Sequence, residues 1–134
     1  MMNILLTAIL AGFGYIIIKF IEPYGDYKKI VREIAKALTY YANVSGSDTK
    51  ELQDEAHNVF LQNATRLRTS ADQIAYSYYQ PLATLADLPS IKSMDAAHHA
   101  LIELSDAIYT SNQYNIDKYR KKIAENLRLR GIVS

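Results

Sequence analysis

No residue from Met1 to Ile18 carries a charged side chain, and the stretch ILLTAILAGFGYIII over residues 4–18 is almost wholly apolar. Where water is excluded, the backbone polar groups of such a stretch must be bonded within it, and a single segment achieves that only as a helix. Carried through Lys19 to Ile21, the run measures about 31 Å at ~1.5 Å per residue, close to the ~30 Å hydrocarbon core of a bilayer. The Lys19 ammonium then snorkels to the interface. Apolar side chains surround this helix on every side instead of forming one stripe, and so short a chain has nothing else to bury it against. The expectation is a transmembrane helix over residues 1–22, with Tyr15 and Tyr24 as interfacial aromatics. A cleavable signal peptide would open on Lys or Arg and close on a small-residue site; here Lys19-Phe20-Ile21-Glu22-Pro23-Tyr24 follows the run.

Lys19, Lys28, Lys29, Arg32 and Lys36 all follow the apolar run. The positive-inside rule therefore predicts an outside N-terminus and a cytoplasmic remainder. Lys28, Lys29 and Arg32 are placed to meet anionic headgroups, at ~1 kcal/mol per basic residue near the surface. Pro23-Tyr24-Gly25 predicts a juxtamembrane hinge over 23–25, since Pro is unfavourable inside a helix and Gly tolerates turn conformations. Ala8 and Gly12 have small-x-x-x-small spacing, a weak signal for helix pairing.

Residues 26–134 read as a cytoplasmic bundle of four amphipathic helices. The first runs from about Asp26 to Ala42 on the stripe Ile30, Ile34, Leu38, Tyr41. Asp48 and Glu51 have capping-box spacing for the second, which runs long, through Leu52, Ala56, Phe60, Ala64, Leu67, Ala71, Ile74 and Tyr78 to Gln80, where Pro81 ends it. Leu82 to Pro89 reads as a turn packed over the bundle end. Ser90 or Ser93 caps the third, with the stripe Met94, Ala97, Leu101, Leu104, Ile108; Asn115 caps the fourth, with Ile116, Tyr119, Ile123 and Leu127, ending at Gly131. No segment alternates with period two. The predicted class is all-α: an N-terminal transmembrane helix followed by an antiparallel four-helix bundle with one long helix.

The leading apolar span, Tyr41-Ala42-Asn43-Val44, Leu67-Arg68-Thr69-Ser70-Ala71 and Ala97-His98-His99-Ala100-Leu101-Ile102-Glu103-Leu104-Ser105 together resemble a group of short, uncharacterised bacterial single-pass membrane proteins with a cytoplasmic helical domain. The resemblance implies this architecture and a bacterial inner membrane. It brings no activity or site residues with it.

Chemistry is sparse in the sequence. The absence of cysteine removes disulfides, thiolate metal sites and thiol nucleophiles. A net charge of +1 gives no global basic field for nucleic acid. Asp54-x-x-His57 and Asp95-x-x-His98, with Glu33 and Glu125, echo the carboxylate-x-x-His pattern of di-metal bundles, but Asp stands where those sites use Glu. If the second and third helices pair end to end, the two His differ by ~20 Å in height. Both are better read as polar residues on partly exposed helix faces, as is His99. No phosphate loop, hydrolase elbow or other catalytic constellation is present, so the chain reads as a non-enzyme with no metal or cofactor.

Eleven tyrosines against three Phe and no Trp make the composition unusual. Tyr76, Tyr78 and Tyr79 cover more than one helix face and, with Leu82, form the predicted contact surface for a protein partner. A second basic run, Lys118-Arg120-Lys121-Lys122, has no stacking platform beside it and reads as a solvated or lipid-facing helix, with no nucleic acid expected. The functional expectation is a membrane-anchored interaction or scaffold module, an accessory subunit of a membrane complex, with the bilayer and a protein partner or homo-oligomer as its contacts. The alternatives are a small membrane effector or sensor acting by self-association, and a metal-dependent enzyme.

Overall fold

The computed structural model describes residues 2–44, 48–76, 87–110 and 112–129, and of residues 2, 16–21 and 76 the backbone only. Four helices are described: α1 (Met2–Tyr40), α2 (Lys50–Tyr76), α3 (Ile91–Ala107) and α4 (Gln113–Leu127), with no strand among the described residues. The all-α class is as expected.

The first difference from expectation lies in α1. Pro23 sits inside it, and the helix runs unbroken across the segment expected to be a hinge. Proline lacks an N–H, so the carbonyl of residue 19 loses its helical partner, but that removes a single bond. Tyr24 and Tyr27, only 5% and 1% exposed, fix the turn after Pro23 by packing into the core. At ~1.5 Å per residue, roughly 31 Å of α1 precede Pro23 and some 25 Å follow it. One rod therefore carries both the apolar run and the first wall of the bundle.

The other three helices complete the bundle in an up-down-up-down order. Helix α2 packs against both α1 and α3, α3 against α4, and α1 and α4 touch lightly to close the ring. Specific contacts give the register. Arg66 meets Glu33 at 2.8 Å, the Tyr41 hydroxyl donates to Glu55 at 2.9 Å, and Arg120 Nε donates to the Leu38 carbonyl at 3.1 Å. The predicted stripes form the core: Ile34, Leu38, Phe60, Leu67, Ile74, Met94, Leu101, Leu104, Ile116 and Ile123 are all fully buried. Each such side chain contributes about 1.5–3 kcal/mol by leaving water. Leu88 joins the same cluster.

Helix ends are the less legible part. For α2 the cap is Thr49, whose hydroxyl accepts from the Leu52 N–H at 3.4 Å, instead of Asp48. Ser90 caps α3, accepting from Ser93, as one of the two expected alternatives. Asn112 caps α4 by accepting from the N–H of Asn115, the residue expected to be the cap. Helix α4 stops at Leu127, short of Gly131, in a Schellman-type end: Leu129 N–H reaches the Ala124 carbonyl at 2.8 Å and Arg128 N–H reaches Glu125. Arg128 adopts φ 58°, a left-handed conformation in which glycine is usual. Among the described residues the other non-glycine residue in that region is Asp87, and the two pair at 3.0 Å.

Candidate functional site

Two features stand apart from the core: the free half of α1 and the polar groups on the bundle surface. On α1, Ile4, Leu5, Leu6, Leu10, Phe13 and Tyr15 are each more than half exposed, as Ile9 nearly is. A Cβ built on Gly12 or Gly14 would meet nothing within 4 Å. Monomeric soluble proteins rarely present a contiguous apolar surface of this extent; such surfaces mark a membrane or protein contact. Among the described residues no helix is long and apolar enough to cross a membrane. The described side chains of the run extend only from Asn3 to Tyr15, about 20 Å of helix where ~30 Å are needed.

The residues expected at the bilayer divide. Tyr15 is exposed on the free half, and the backbone of Lys19 continues that helix. Lys28, Lys29 and Arg32 are exposed on α1 beside the bundle. Tyr24 does not fit a membrane belt: it is buried in the bundle core, because the continuous helix turns its face toward α1's packing partners. Lys29 lines an open groove of ≈ 480 Å³ between α1 and α2, together with Asp26, Glu33, Arg66 and Ser70. Of the expected partner surface, Tyr76 lies on the last turn of α2 with its side chain undescribed, and Tyr78, Tyr79 and Leu82 lie outside the described residues.

The histidines are better integrated than the sequence suggests. His57 Nδ1 donates to the Ser105 carbonyl at 2.7 Å, and His98 Nδ1 to the Ala64 carbonyl at 2.8 Å. A carbonyl only accepts, so Nδ1 carries the proton in both rings. Ser105 lies in the last turn of α3, where carbonyls lack helical partners, so His57 supplies a donor from a neighbouring helix to the end of α3. The His57 ring also lies 5.2 Å from that of Tyr109, whose hydroxyl donates to Asp54 at 2.6 Å. That bond holds the phenol above its ordinary pKa, with burial adding to the effect. His98 is buried at 9% exposure, which corrects the expectation of a partly exposed residue, whereas His99 is exposed and 3.5 Å from Asp95.

These contacts also revise the height difference between His57 and His98. His57 is level with Ser105, and His98 with Ala64. The offset is seven residues, or ~10 Å, about half of that expected from end-to-end pairing. The reason is that α3 begins opposite Ala71, which shares a groove with Ile91 and Met94, and not opposite Gln80. The separation still prevents a shared ion, Asp54 is occupied by Tyr109, and Glu33 is occupied by Arg66. Among the described residues no three His, Asp or Glu side chains are grouped to hold a metal.

Arg120 belongs by sequence to a solvated basic run, yet its side chain is only 16% exposed and bonds to the Leu38 carbonyl and Asp117. Its spacing from Tyr119 and Ile123, on the edge of the apolar stripe, is the signal that would have found it. Lys118, Lys121 and Lys122 around it are exposed. No family model matches the chain, and neither a curated protein nor a solved structure does.

Proposed function

We propose that this chain is a membrane-anchored helical interaction module, an accessory subunit whose bundle is held beside a bacterial inner membrane by the N-terminal half of α1. The carrying observation is that α1 is one unbroken helix whose large apolar side chains from Ile4 to Tyr15 are exposed, and whose stretch from Tyr24 onward is packed as a bundle wall. In sequence the uncharged run continues through Ile16-Ile17-Ile18 and reaches Ile21 past a single Lys, giving the length that a hydrocarbon core requires. Lys28, Lys29, Arg32 and Lys36 follow the run within α1, which supports a cytoplasmic bundle. The family resemblance in sequence points to a bacterial inner membrane.

Anchoring supplies a mechanism without a catalytic centre. Confinement to a surface raises the effective concentration of the bundle near its partners, so that modest contacts suffice. The proposed partner contact is Tyr76, on the last turn of α2, with Tyr78, Tyr79 and Leu82 of the sequence that follows; aromatic side chains provide large contact area with few rotors to fix. The test is membrane fractionation of the full chain with alkaline carbonate. Wild type is expected in the pellet, and Ile9→Lys with Phe13→Lys is expected to release it, since each central lysine costs about 2.5–3.5 kcal/mol in a span. Wild type extracted by carbonate would refute anchoring. Co-purification from detergent, lost on Tyr78→Ala, tests the partner surface.

A further inference from the structure

We propose that neighbouring copies of this chain dock side by side in the membrane, the lysine face of α4 on one copy against Glu103 and Asp106 of α3 on the next. The inference rests on the anchoring proposed above. The bundle distributes charge unevenly: on α4 the exposed Lys118, Lys121 and Lys122 outnumber exposed Glu125 and Asp117, the latter paired with Arg120, while α3 ends on exposed Glu103 and Asp106. Among the described residues, none of the side chains of those three lysines, Glu103 and Asp106 makes a hydrogen bond or ion pair. One molecule thus presents a net positive α4 surface and an acidic end of α3.

Height decides the occupant. Arg120 is bonded to the Leu38 carbonyl, so the lysines flanking it lie level with Leu38. Leu38 is about 25 Å along α1 from Ile21 at ~1.5 Å per residue. The headgroup layer beyond the hydrocarbon is only some 5–7 Å deep, and charges are screened over ~8–10 Å. With the anchor so placed, lipid is out of reach of these lysines. The acids lie at the same height: Tyr41 pairs with Glu55 and His57 with Ser105, which brings Glu103 and Asp106 level with the last turn of α1. Copies anchored in one membrane share orientation and height, so the lysines of one meet the acids of the next without a vertical shift. Like faces repel, so α4 of one copy meets α3 of the next.

The test uses the full chain in vesicles of zwitterionic phosphatidylcholine, labelled through Ser134→Cys because the natural sequence has no cysteine, with energy transfer between copies as the readout. One variant set is Lys118→Glu, Lys121→Glu and Lys122→Glu; the other is Glu103→Lys and Asp106→Lys. Wild type is expected to show transfer at ~0.1 M salt that falls to the random-collision level at ~1 M, where the screening length drops to ~3 Å. Each variant set alone is expected to lose transfer, and the two mixed are expected to recover it. Transfer unchanged in either set, a mixture that fails to recover, or wild-type transfer that needs anionic lipid would each overturn the contact. Flotation of the same samples separates the two ideas. Floating chains without transfer retire the contact and leave the anchor, whereas recovery by the mixture without flotation keeps the contact and retires the anchor.

Discussion

Tyr27 is 1% exposed, and its hydroxyl has no hydrogen-bond partner among the described residues. Burial raises its pKa well above the ordinary tyrosine value, with the Arg128 guanidinium opposing that shift. The ring packs in the core cluster at the Pro23 end of the bundle, close to Tyr24 in sequence. A buried hydroxyl without a partner costs about 1–3 kcal/mol of desolvation. Tyr27→Phe keeps the ring and removes that cost, so the bundle is expected to gain ~1 kcal/mol. For a domain of roughly 100 residues this corresponds to a rise of about 4–8 °C in Tm. The assay is thermal and urea unfolding of the full chain in neutral detergent, followed by circular dichroism in the far and near ultraviolet. An unchanged urea slope with a raised midpoint would show that stability changed and not the extent of unfolding. A loss of 1 kcal/mol or more would refute the reasoning, because it would mean that the hydroxyl is hydrogen-bonded in the folded protein. Ser70, also buried with a hydroxyl that has no partner among the described residues, gives the parallel case: Ser70→Ala should act in the same direction, and a non-additive double variant would mean that the two sites are coupled.

His57→Ala removes the donor to the Ser105 carbonyl and the packing against Tyr109; a loss of about 1–2 kcal/mol is expected by urea unfolding, with faster amide exchange at Ile108–Thr110, and wild-type protection there would count against the capping role. Arg128→Gly should be neutral or stabilising by about 0.5 kcal/mol, since it relieves a left-handed arginine at about 1–2 kcal/mol and gives up an exposed ion pair with Asp87 at about 0–1 kcal/mol; a loss above 1 kcal/mol would reverse that ordering. Tyr41 is pushed up to about 12, first by burial and then by its hydrogen bond to Glu55. Its neutral form is favoured in the folded state, so its contribution is full below pH 10 and is lost as pH rises from 10 toward 12. An alkaline unfolding series should show this decline, and Tyr41→Phe should flatten it.

The stripes that form the core are legible in the sequence because helical period and burial are locally coupled: Met94, Ala97, Leu101, Leu104 and Ile108 recur at three and four residues, and all are buried. Caps are less legible. Thr49 and Asn112 each compete with a polar neighbour only a few residues away, and the choice depends on where neighbouring helices let the backbone enter. Pro23 misleads because a hinge reading weighs one missing hydrogen bond against nothing, whereas two tyrosines one and four residues later are buried and carry the helix through it. Tyr78, Tyr79 and Leu82 lie outside the described residues, so the partner experiment decides their role.

Residues adjacent along the chain suffice to specify an all-helical protein, an uncharged apolar N-terminal run and four amphipathic stripes. Packing between residues far apart in sequence did the rest. It joined the apolar run to the bundle in one helix, placed His57 at the end of α3, drew Arg120 from an apparently solvated run to the Leu38 carbonyl, and set the α4 lysines level with the acids of α3. Periodicity fixes which face of a helix turns inward, but the height at which two faces meet is set by interhelical packing and is not written in either helix alone.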